Sequence, residues 1–196
     1  MKPLEGKTGL YFGSFNPIHV GHLAIANAVL DEAGLREVWF VLSPQNPFKE
    51  QKNLLPDHHR LQILKVAIED NPRFRACDIE FSLPRPSYTS LTLAHLCERY
   101  PDKDFCLIMG ADNLASFHRW HNYRYIIDNY HICVYPRVDS PKTQWDDHPH
   151  VHLVNSPLFN ISSSYIRECI KNGKSVKYIL TDPVLKYVEE MNFYKN

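Results

Sequence analysis

Two histidines three positions apart, His19 and His22, follow a short turn of small, aromatic and polar residues, Gly13-Ser14-Phe15-Asn16-Pro17-Ile18. An apolar run at residues 8–12 precedes the turn, and a second at 23–30 follows the second histidine. A strand that ends in small residues and passes directly into a helix aims backbone N–H groups and the positive end of the helix dipole at an anion. Residues three apart at a helix start share one face, so both imidazoles could reach the same phosphate. This stretch is therefore a candidate nucleotide site. The alternative is an ordinary connection, with Asn16 and Pro17 as turn and helix-start residues and both histidines facing solvent. Each feature alone suits that alternative; their coincidence in strand-to-helix context favours phosphate binding.

Other constellations carry less. His148, His150 and His152 alternate beside Asp146 and Asp147. On a strand they would share a face and could gather a transition metal. Pro149 argues instead for irregular backbone or a solvated sheet edge. Lys171, Lys174 and Lys177 read as a solvated face. The five cysteines (Cys77, Cys97, Cys106, Cys133 and Cys169) are odd in number and never form a Cys-x-x-Cys pair. Reduced core thiols are expected, not a disulfide framework.

The elements that must position the histidines alternate along the chain. Strands are expected over residues 7–12, 37–42, 74–77 continuing into 79–82, 104–109, 130–135 and 150–154. Helices are expected over 20–33, 56–70, 90–100 and 113–129, the last broken near Trp120. In the second helix Leu61, Leu64 and Ile68, with Ile63 and Ala67 alongside, form one apolar stripe. Short apolar strands separated by helices imply right-handed crossovers and a parallel sheet covered on both faces. The expected fold is α/β, a Rossmann-like doubly wound parallel sheet with ligands at the carboxyl ends of its strands. The last forty or so residues differ. A helix over 160–170 starts with Ser162 and Ser163 at cap positions and stops at Gly173, and a final helix over 183–191 begins at Pro183. The expected organisation is one domain, a core over 1–155 and a small C-terminal helical subdomain over 156–196.

Composition is compatible with one catalytic domain. The 196 residues are 44% hydrophobic and 22% charged, with formal net charge zero, enough to bury a substantial core. Zero net charge offers no general attraction to nucleic acid or an anionic membrane. There is no apolar leader, and no run approaches the ~20 apolar residues that span a bilayer. A cytoplasmic protein without nucleic-acid or membrane partners is expected, and a homo-oligomer is left open.

The turn resembles the nucleotidyltransferase superfamily, whose (His/Thr)-x-Gly-His signature is matched by His19-Val20-Gly21-His22. A second superfamily signature, Ile-Ser-Ser-Thr-x-Ile-Arg, resembles Ile161-Ser162-Ser163-Ser164-Tyr165-Ile166-Arg167, in the required order and well over a hundred residues away. Over nearly the whole chain the sequence is similar to bacterial nicotinate-nucleotide adenylyltransferases. The resemblance extends through the stretch from Ser43 to Lys49, Arg60, Pro86-Ser87-Tyr88-Thr89, Gly110-Ala111-Asp112 and Trp120.

The resemblance implies adenylyl transfer from ATP to nicotinate mononucleotide, giving nicotinate adenine dinucleotide and pyrophosphate. His19, His22 and Arg167 would be catalytic. Gly13, Ser14, Phe15, Gly21, Gly110, Asp112, Ile161, Ser162 and Ser163 would join them in binding ATP. Asn16, Asn46, Lys49, Arg60, Tyr88, Thr89 and Trp120 would hold the mononucleotide. Trp120 would stack on the pyridine ring, Thr89 and nearby amides would meet its carboxylate, and Lys49 its phosphate. Mg²⁺ would be carried mainly by ATP oxygens and water, with no protein metal cage. Each role has a plainer counterpart: Trp120 as core, Asp112 as a helix cap, Arg60 as a salt-bridge brace, Lys49 as an exposed loop lysine.

Three departures from the family pattern stand out. Phe12 replaces the first of two glycines, Phe48 stands where a His-Lys pair is common, and Ser164 replaces threonine. Competing readings are a pantetheine-phosphate adenylyltransferase, a preference for nicotinamide mononucleotide, and a non-catalytic nucleotide sensor. Tyr88, Thr89 and Trp120 argue against the first. Retention of His19, His22 and Arg167 argues against the last. Class I aminoacyl-tRNA synthetases share the His-x-Gly-His logic but need domains for which this chain has no room.

Overall fold

The computed structural model describes residues 4–45, 54–138 and 140–195. Among these residues six parallel strands form one sheet in the order β3-β2-β1-β4-β5-β6. In chain order these are β1 (Thr8–Gly13), β2 (Glu37–Leu42), β3 (Phe74–Cys77), β4 (Phe105–Gly110), β5 (Ile132–Tyr135) and β6 (Val151–Leu153). Among the described residues the seven helices are α1 (Val20–Glu32), α2 (Asp57–Ile68), α3 (Thr89–Arg99), α4 (Ala111–Ala115), α5 (Tyr123–Asn129), α6 (Ser163–Lys171) and α7 (Asp182–Glu190). The chain winds outward from β1 to β3, then returns to place β4 on the other side of β1. Beyond the carboxyl ends of β1 and β4 lies the switch point where such sheets open a ligand crevice. The expected α/β doubly wound architecture is the one observed.

Strand alternation sorts the core into two layers. Tyr11, Val38, Phe40, Leu42, Cys106, Ile108 and Cys133 face α1, α2 and the C-terminal helices, where Val29, Leu64, Ile166, Cys169, Val184 and Val188 pack in one buried cluster. Leu10, Trp39, Val41, Leu107, Met109 and Val134 face the other way, onto Leu93, Leu96, Phe117 and Ile126. The C-terminal helices thus close over the same sheet face as the first two helices. All five cysteines are free thiols.

Several expected elements differ in detail. Residues 79–82 are not strand but a 3-10 turn, Ile79–Ser82. The Ser82 hydroxyl donates to the Ile79 carbonyl at 2.9 Å and the Phe81 amide to Asp78 at 2.9 Å, which bends the chain off the sheet edge. The helical stretch over 113–129 breaks near Trp120 as expected, but into three pieces: α4, which starts at Ala111, a 3-10 turn Phe117–Arg119, and α5. Trp120 is extended (ψ 144°) and Asn122 is left-handed (φ 54°), so no continuous helix could pass through them. On α2 the buried face is Arg60, Ile63, Leu64, Ala67 and Ile68, with Leu61 only half-buried. The apolar stripe is real, but its first position is an arginine. In α6 the Ser162 hydroxyl accepts from the Tyr165 amide at 3.1 Å, so Ser162 is the cap expected of it and the helix starts at Ser163, not at residue 160. Gly173, with φ +65°, ends that region in the left-handed conformation expected of a glycine stop.

Candidate active site

The switch point opens into a cavity of about 670 Å³. Its walls include Gly13 to Asn16, His19, Gly21 and His22 from the first turn, Asp112, and residues 161–164 with Arg167 from α6. Two signatures more than a hundred residues apart in sequence therefore share one cavity. Direct bonds join them. The Ser163 hydroxyl donates to the Pro17 carbonyl at 2.9 Å, and Arg167 Nη1 donates to the Asn16 carbonyl at 2.8 Å. Arg167 Nη2 is steadied by the Ser164 hydroxyl at 3.1 Å, so serine retains the function that threonine's hydroxyl would supply.

Local packing explains the residue types of the turn. A Cβ on Gly13 would lie 2.8 Å from the Phe15 ring, so that position must be glycine while Phe15 folds beneath it. Phe15 is buried, has φ +41°, and packs its ring on Tyr11, Phe40 and His22. Its contribution to the cavity is therefore the shape of the turn. A Cβ on Gly21 would come within 3.1 Å of the His19 ring, which makes the glycine of His-x-Gly-His a clearance for the first histidine. Gly110 serves similarly: a side chain there would collide with Asp112 and crowd Tyr135 and Arg137.

The two imidazoles lie 3.8 Å apart, centroid to centroid, with planes tilted by 34°. The His19 amide donates to His22 Nδ1 at 3.3 Å, so a neutral His22 carries its proton on Nε2. His19 is only 4% exposed. Burial, and next the charge of Arg137, lower its pKa to about 4, so the ring is neutral at pH 7. Its Nδ1 is buried without a partner. A neutral imidazole can still donate one hydrogen bond to a phosphate oxygen, and it does so without repelling the neighbouring histidine.

A second cavity of about 430 Å³ adjoins the first. Tyr11, Phe12, Gly13, Asn113 and Tyr135 line both. Tyr88, Thr89 and Trp120 are brought together here, with Ser43, Glu80, Ser87 and His121. Tyr88 caps α3 and its ring lies 4.7 Å from that of His121. Thr89 opens α3, whose N-terminal N–H groups favour an anion. Phe12, which departs from the expected glycine, acquires a place: its half-buried side chain bounds the junction of the two cavities.

Two expected ligand residues spend polar groups inside the protein. Arg60 is fully buried, and all five of its N–H donors are used within the protein. Nε donates to the Leu55 carbonyl at 2.9 Å, and Nη1 to the carbonyls of Ser14 and Ser43 at 2.8 and 2.9 Å. Nη2 donates to the Pro44 carbonyl at 3.3 Å and to Asp57 at 2.5 Å. Arg60 lines neither cavity; it clamps the first turn to the segment after β2. Asn16 does line the first cavity, but its Oδ1 accepts from the Leu55 amide at 3.2 Å and from the Tyr194 hydroxyl at 2.8 Å. Asn46, Phe48 and Lys49 lie outside the described residues.

Sequence reasoning missed Arg137, Tyr135 and Tyr11. Arg137 lies 3.9 Å from the Asp112 carboxylate on the wall of the first cavity. The Tyr11 and Tyr135 hydroxyls meet at 3.1 Å across the end of β4. The available signal was position: residues just past the strands on either side of a switch point face the crevice. At the far sheet edge the alternating histidines meet one that spacing could not reveal, His131, whose Nδ1 lies 2.9 Å from His152 Nε2. Among the described residues no three His, Cys, Asp or Glu side chains are placed to hold a metal ion.

A doubly wound sheet that brings paired histidines and a distant arginine to one crevice at its switch point is the organisation of a nucleotidyltransferase. The cytidylyltransferase-like family pattern matches residues 10–169. A probable nicotinate-nucleotide adenylyltransferase of Flavobacterium johnsoniae is 48% identical over 191 residues, covering 96% of this chain and 99% of that protein. One from Bacteroides fragilis is 49% identical over 182 residues, covering 93% and 90%. Among solved structures, Plasmodium falciparum nicotinic acid mononucleotide adenylyltransferase complexed with NaAD superposes with a TM-score of 0.82 at 20% identity, over 97% of this chain and 98% of that one. The chain belongs to the cytidylyltransferase-like family and, within it, to the nicotinate-nucleotide adenylyltransferases.

Proposed function

We infer that the protein transfers the adenylyl group of ATP to the phosphate of nicotinate mononucleotide, releasing pyrophosphate and forming nicotinate adenine dinucleotide for NAD biosynthesis. The observation that carries this reading is the pair of adjoining cavities, one built from both phosphate signatures and the other from Tyr88, Thr89 and Trp120, with Gly13 on the wall of each. A phosphoryl group held over Gly13 is reachable from both sides, which is what in-line displacement requires. Relatives at 48% identity carry the same activity in their names.

The acceptor's own phosphate oxygen forms the new bond to the α-phosphorus as the bond to pyrophosphate breaks, so no side chain need become a nucleophile. His19 and His22 donate to the α-phosphoryl oxygens from the start of α1, where the backbone N–H groups add to the positive potential. Ser163 and Arg167 hold the departing β- and γ-phosphates. Gly110 and Asp112 meet the adenylate ribose, and Trp120 stacks on the cationic pyridine ring while Thr89 and the first amides of α3 receive its carboxylate.

Members of this family generally use a divalent cation. The donor set fits Mg²⁺ held by nucleotide oxygens and water: Asp112 is the one carboxylate on the first cavity's described wall, and it already faces Arg137. Bound in that way, the ion would neutralise phosphate charge.

Pyrophosphate release, measured with ATP and Mg²⁺ and each of nicotinate mononucleotide, nicotinamide mononucleotide and pantetheine phosphate, tests the assignment. The expected result is the highest kcat/KM with nicotinate mononucleotide. No turnover with it, or a clear preference for another acceptor, overturns the reading.

A further inference from the structure

Glu80 is a buried carboxyl that the chemistry above does not use. It sits in the 3-10 turn Ile79–Ser82 and is 1% exposed. Its Oε1 accepts from the Thr92 hydroxyl of α3 at 2.7 Å. Its Oε2 is buried with no hydrogen-bond partner, and the same is true of Ser87 Oγ. Both residues line the second cavity beside Tyr88, Thr89 and Trp120. Glu80 forms no ion pair among the described residues.

A buried carboxylate with one donor and no counter-ion is costly, and an orphaned polar atom facing a cavity is relieved by a ligand group placed against it. The two pyridine mononucleotides offer opposite groups. The nicotinate carboxylate is acceptor-only, whereas the nicotinamide carboxamide is neutral and brings N–H donors. An anionic Glu80 would repel the first and accept from the second; a neutral Glu80, with a proton to donate, favours the first. Burial already pushes this carboxyl up, opposed by the Thr92 hydroxyl that donates to it and by the Ser87 and Ser43 hydroxyls, which are near it but not in hydrogen-bond geometry. A second negative charge entering the cavity pushes it the same way, as when two carboxyls share one proton.

We propose that Glu80 is a specificity-determining residue of the second cavity: in the complex Oε2 carries a proton taken from solvent and donates it, directly or through the Ser87 hydroxyl, to the carboxylate of the pyridine nucleotide. This rests on reading that cavity as the pyridine-nucleotide site. Other titratable or charged groups lie close by: Cys77 and Asp78 next to Glu80 at the end of β3, and, on the cavity wall, Tyr88 at the start of α3 and Arg119 and His121 beyond α4. His121, the histidine on the wall of the same cavity, serves as the control.

Calorimetric titration of the full-length protein at about pH 8, in two buffers of different ionisation enthalpy, reads the proton. Wild-type protein takes up a proton on binding nicotinate mononucleotide and none on binding nicotinamide mononucleotide. Its KM for the nicotinate substrate rises with pH, by at most tenfold per unit, once Glu80 of the free protein ionises, and levels off where bound Glu80 ionises as well, while kcat does not follow. Glu80→Gln, a permanent neutral donor, binds without proton uptake and loses the pH dependence of KM; His121→Gln retains the uptake. Equal uptake in Glu80→Gln, or none in wild type, overturns the proposal. Should Glu80→Gln not fold, infrared difference spectra of wild type decide: a protonated-carboxyl band on binding the nicotinate nucleotide but not the nicotinamide one is expected, and its absence refutes the role. Turnover of nicotinate mononucleotide without proton linkage removes Glu80's role and leaves the activity standing. Failure of wild type to turn it over removes both.

Discussion

Replacing Arg60 by methionine distinguishes a ligand contact from an internal clamp. The side chain is fully buried and bonds four backbone carbonyls and the Asp57 carboxylate. Methionine fills much of the volume but supplies no donor, so those carbonyls lose a charged partner and Asp57 keeps only Arg85, at 2.7 Å. Orphaned groups cost about 1–3 kcal/mol each, less where they relax toward water, and breaking a buried ion pair costs about 3–5 kcal/mol. Because these costs fall on one shared cluster they do not add, and a net loss of about 3–5 kcal/mol is expected. For a chain of this size that lowers Tm by about 6–20 °C. Denaturant unfolding followed by circular dichroism and by activity measures it. KM for both nucleotides should rise together, because the clamp holds the Ser14 turn and the Ser43–Pro44 segment at once. Arg60→Lys, a point charge without the planar fork, should recover only part of the loss. If Arg60→Met unfolds within about 1 kcal/mol of wild type while KM for the mononucleotide alone rises tenfold or more, the guanidinium is a ligand contact and the clamp reasoning fails.

His22→Ala should lower kcat about 10²–10³-fold while weakening mononucleotide binding little, as for loss of one transition-state donor; unchanged kcat in steady-state assays would mean that His22 does not face the reacting phosphoryl group. His19 has a folded pKa of about 4, below its ordinary 6.5, so between those values the unfolded chain binds a proton that the folded one does not. Its contribution to stability is therefore complete above about pH 6.5 and is lost as pH falls toward 4, by about 3 kcal/mol in all. His19→Gln should flatten that limb in Tm measured against pH, and an unchanged slope would refute the assignment. Trp120→Ala should raise KM for the pyridine nucleotide about tenfold or more through lost stacking and apolar area, and leave KM for ATP nearly unchanged because Trp120 lines only the second cavity. Equal effects on both substrates would misplace the ring.

What could be read without coordinates was whatever local pattern controls. Alternating apolar strands and helical stripes specify the layers, since each face must be buried whatever its partner. His19-Val20-Gly21-His22 and residues 161–167 were legible because their neighbours are sequence neighbours: the glycine clears the histidine two positions earlier, and Ser162 caps the helix it starts. The expected strand at residues 79–82, and the number of pieces into which the helix beyond Asn113 breaks, were misread for the converse reason. A turn held by one serine hydroxyl and a left-handed Asn122 leave no periodic signature. The same limit applied to Arg60, where a charged residue within an amphipathic helix reads as exposed unless the carbonyls that receive it are known.

Tertiary structure decided the relations between distant segments. It joined Ser163 and Arg167 to the carbonyls of Pro17 and Asn16, turned Arg60 from a substrate residue into a clamp, and set Arg137 close enough to help keep His19 neutral. It also placed Phe12 at the junction of two cavities and left one oxygen of Glu80 buried and unpartnered in the second. Spacing along a chain determines which side chains share a face of one helix or strand. Charge, burial and hydrogen-bond satisfaction depend on what approaches from elsewhere, and only the folded sheet, with its switch point between β1 and β4, determines that.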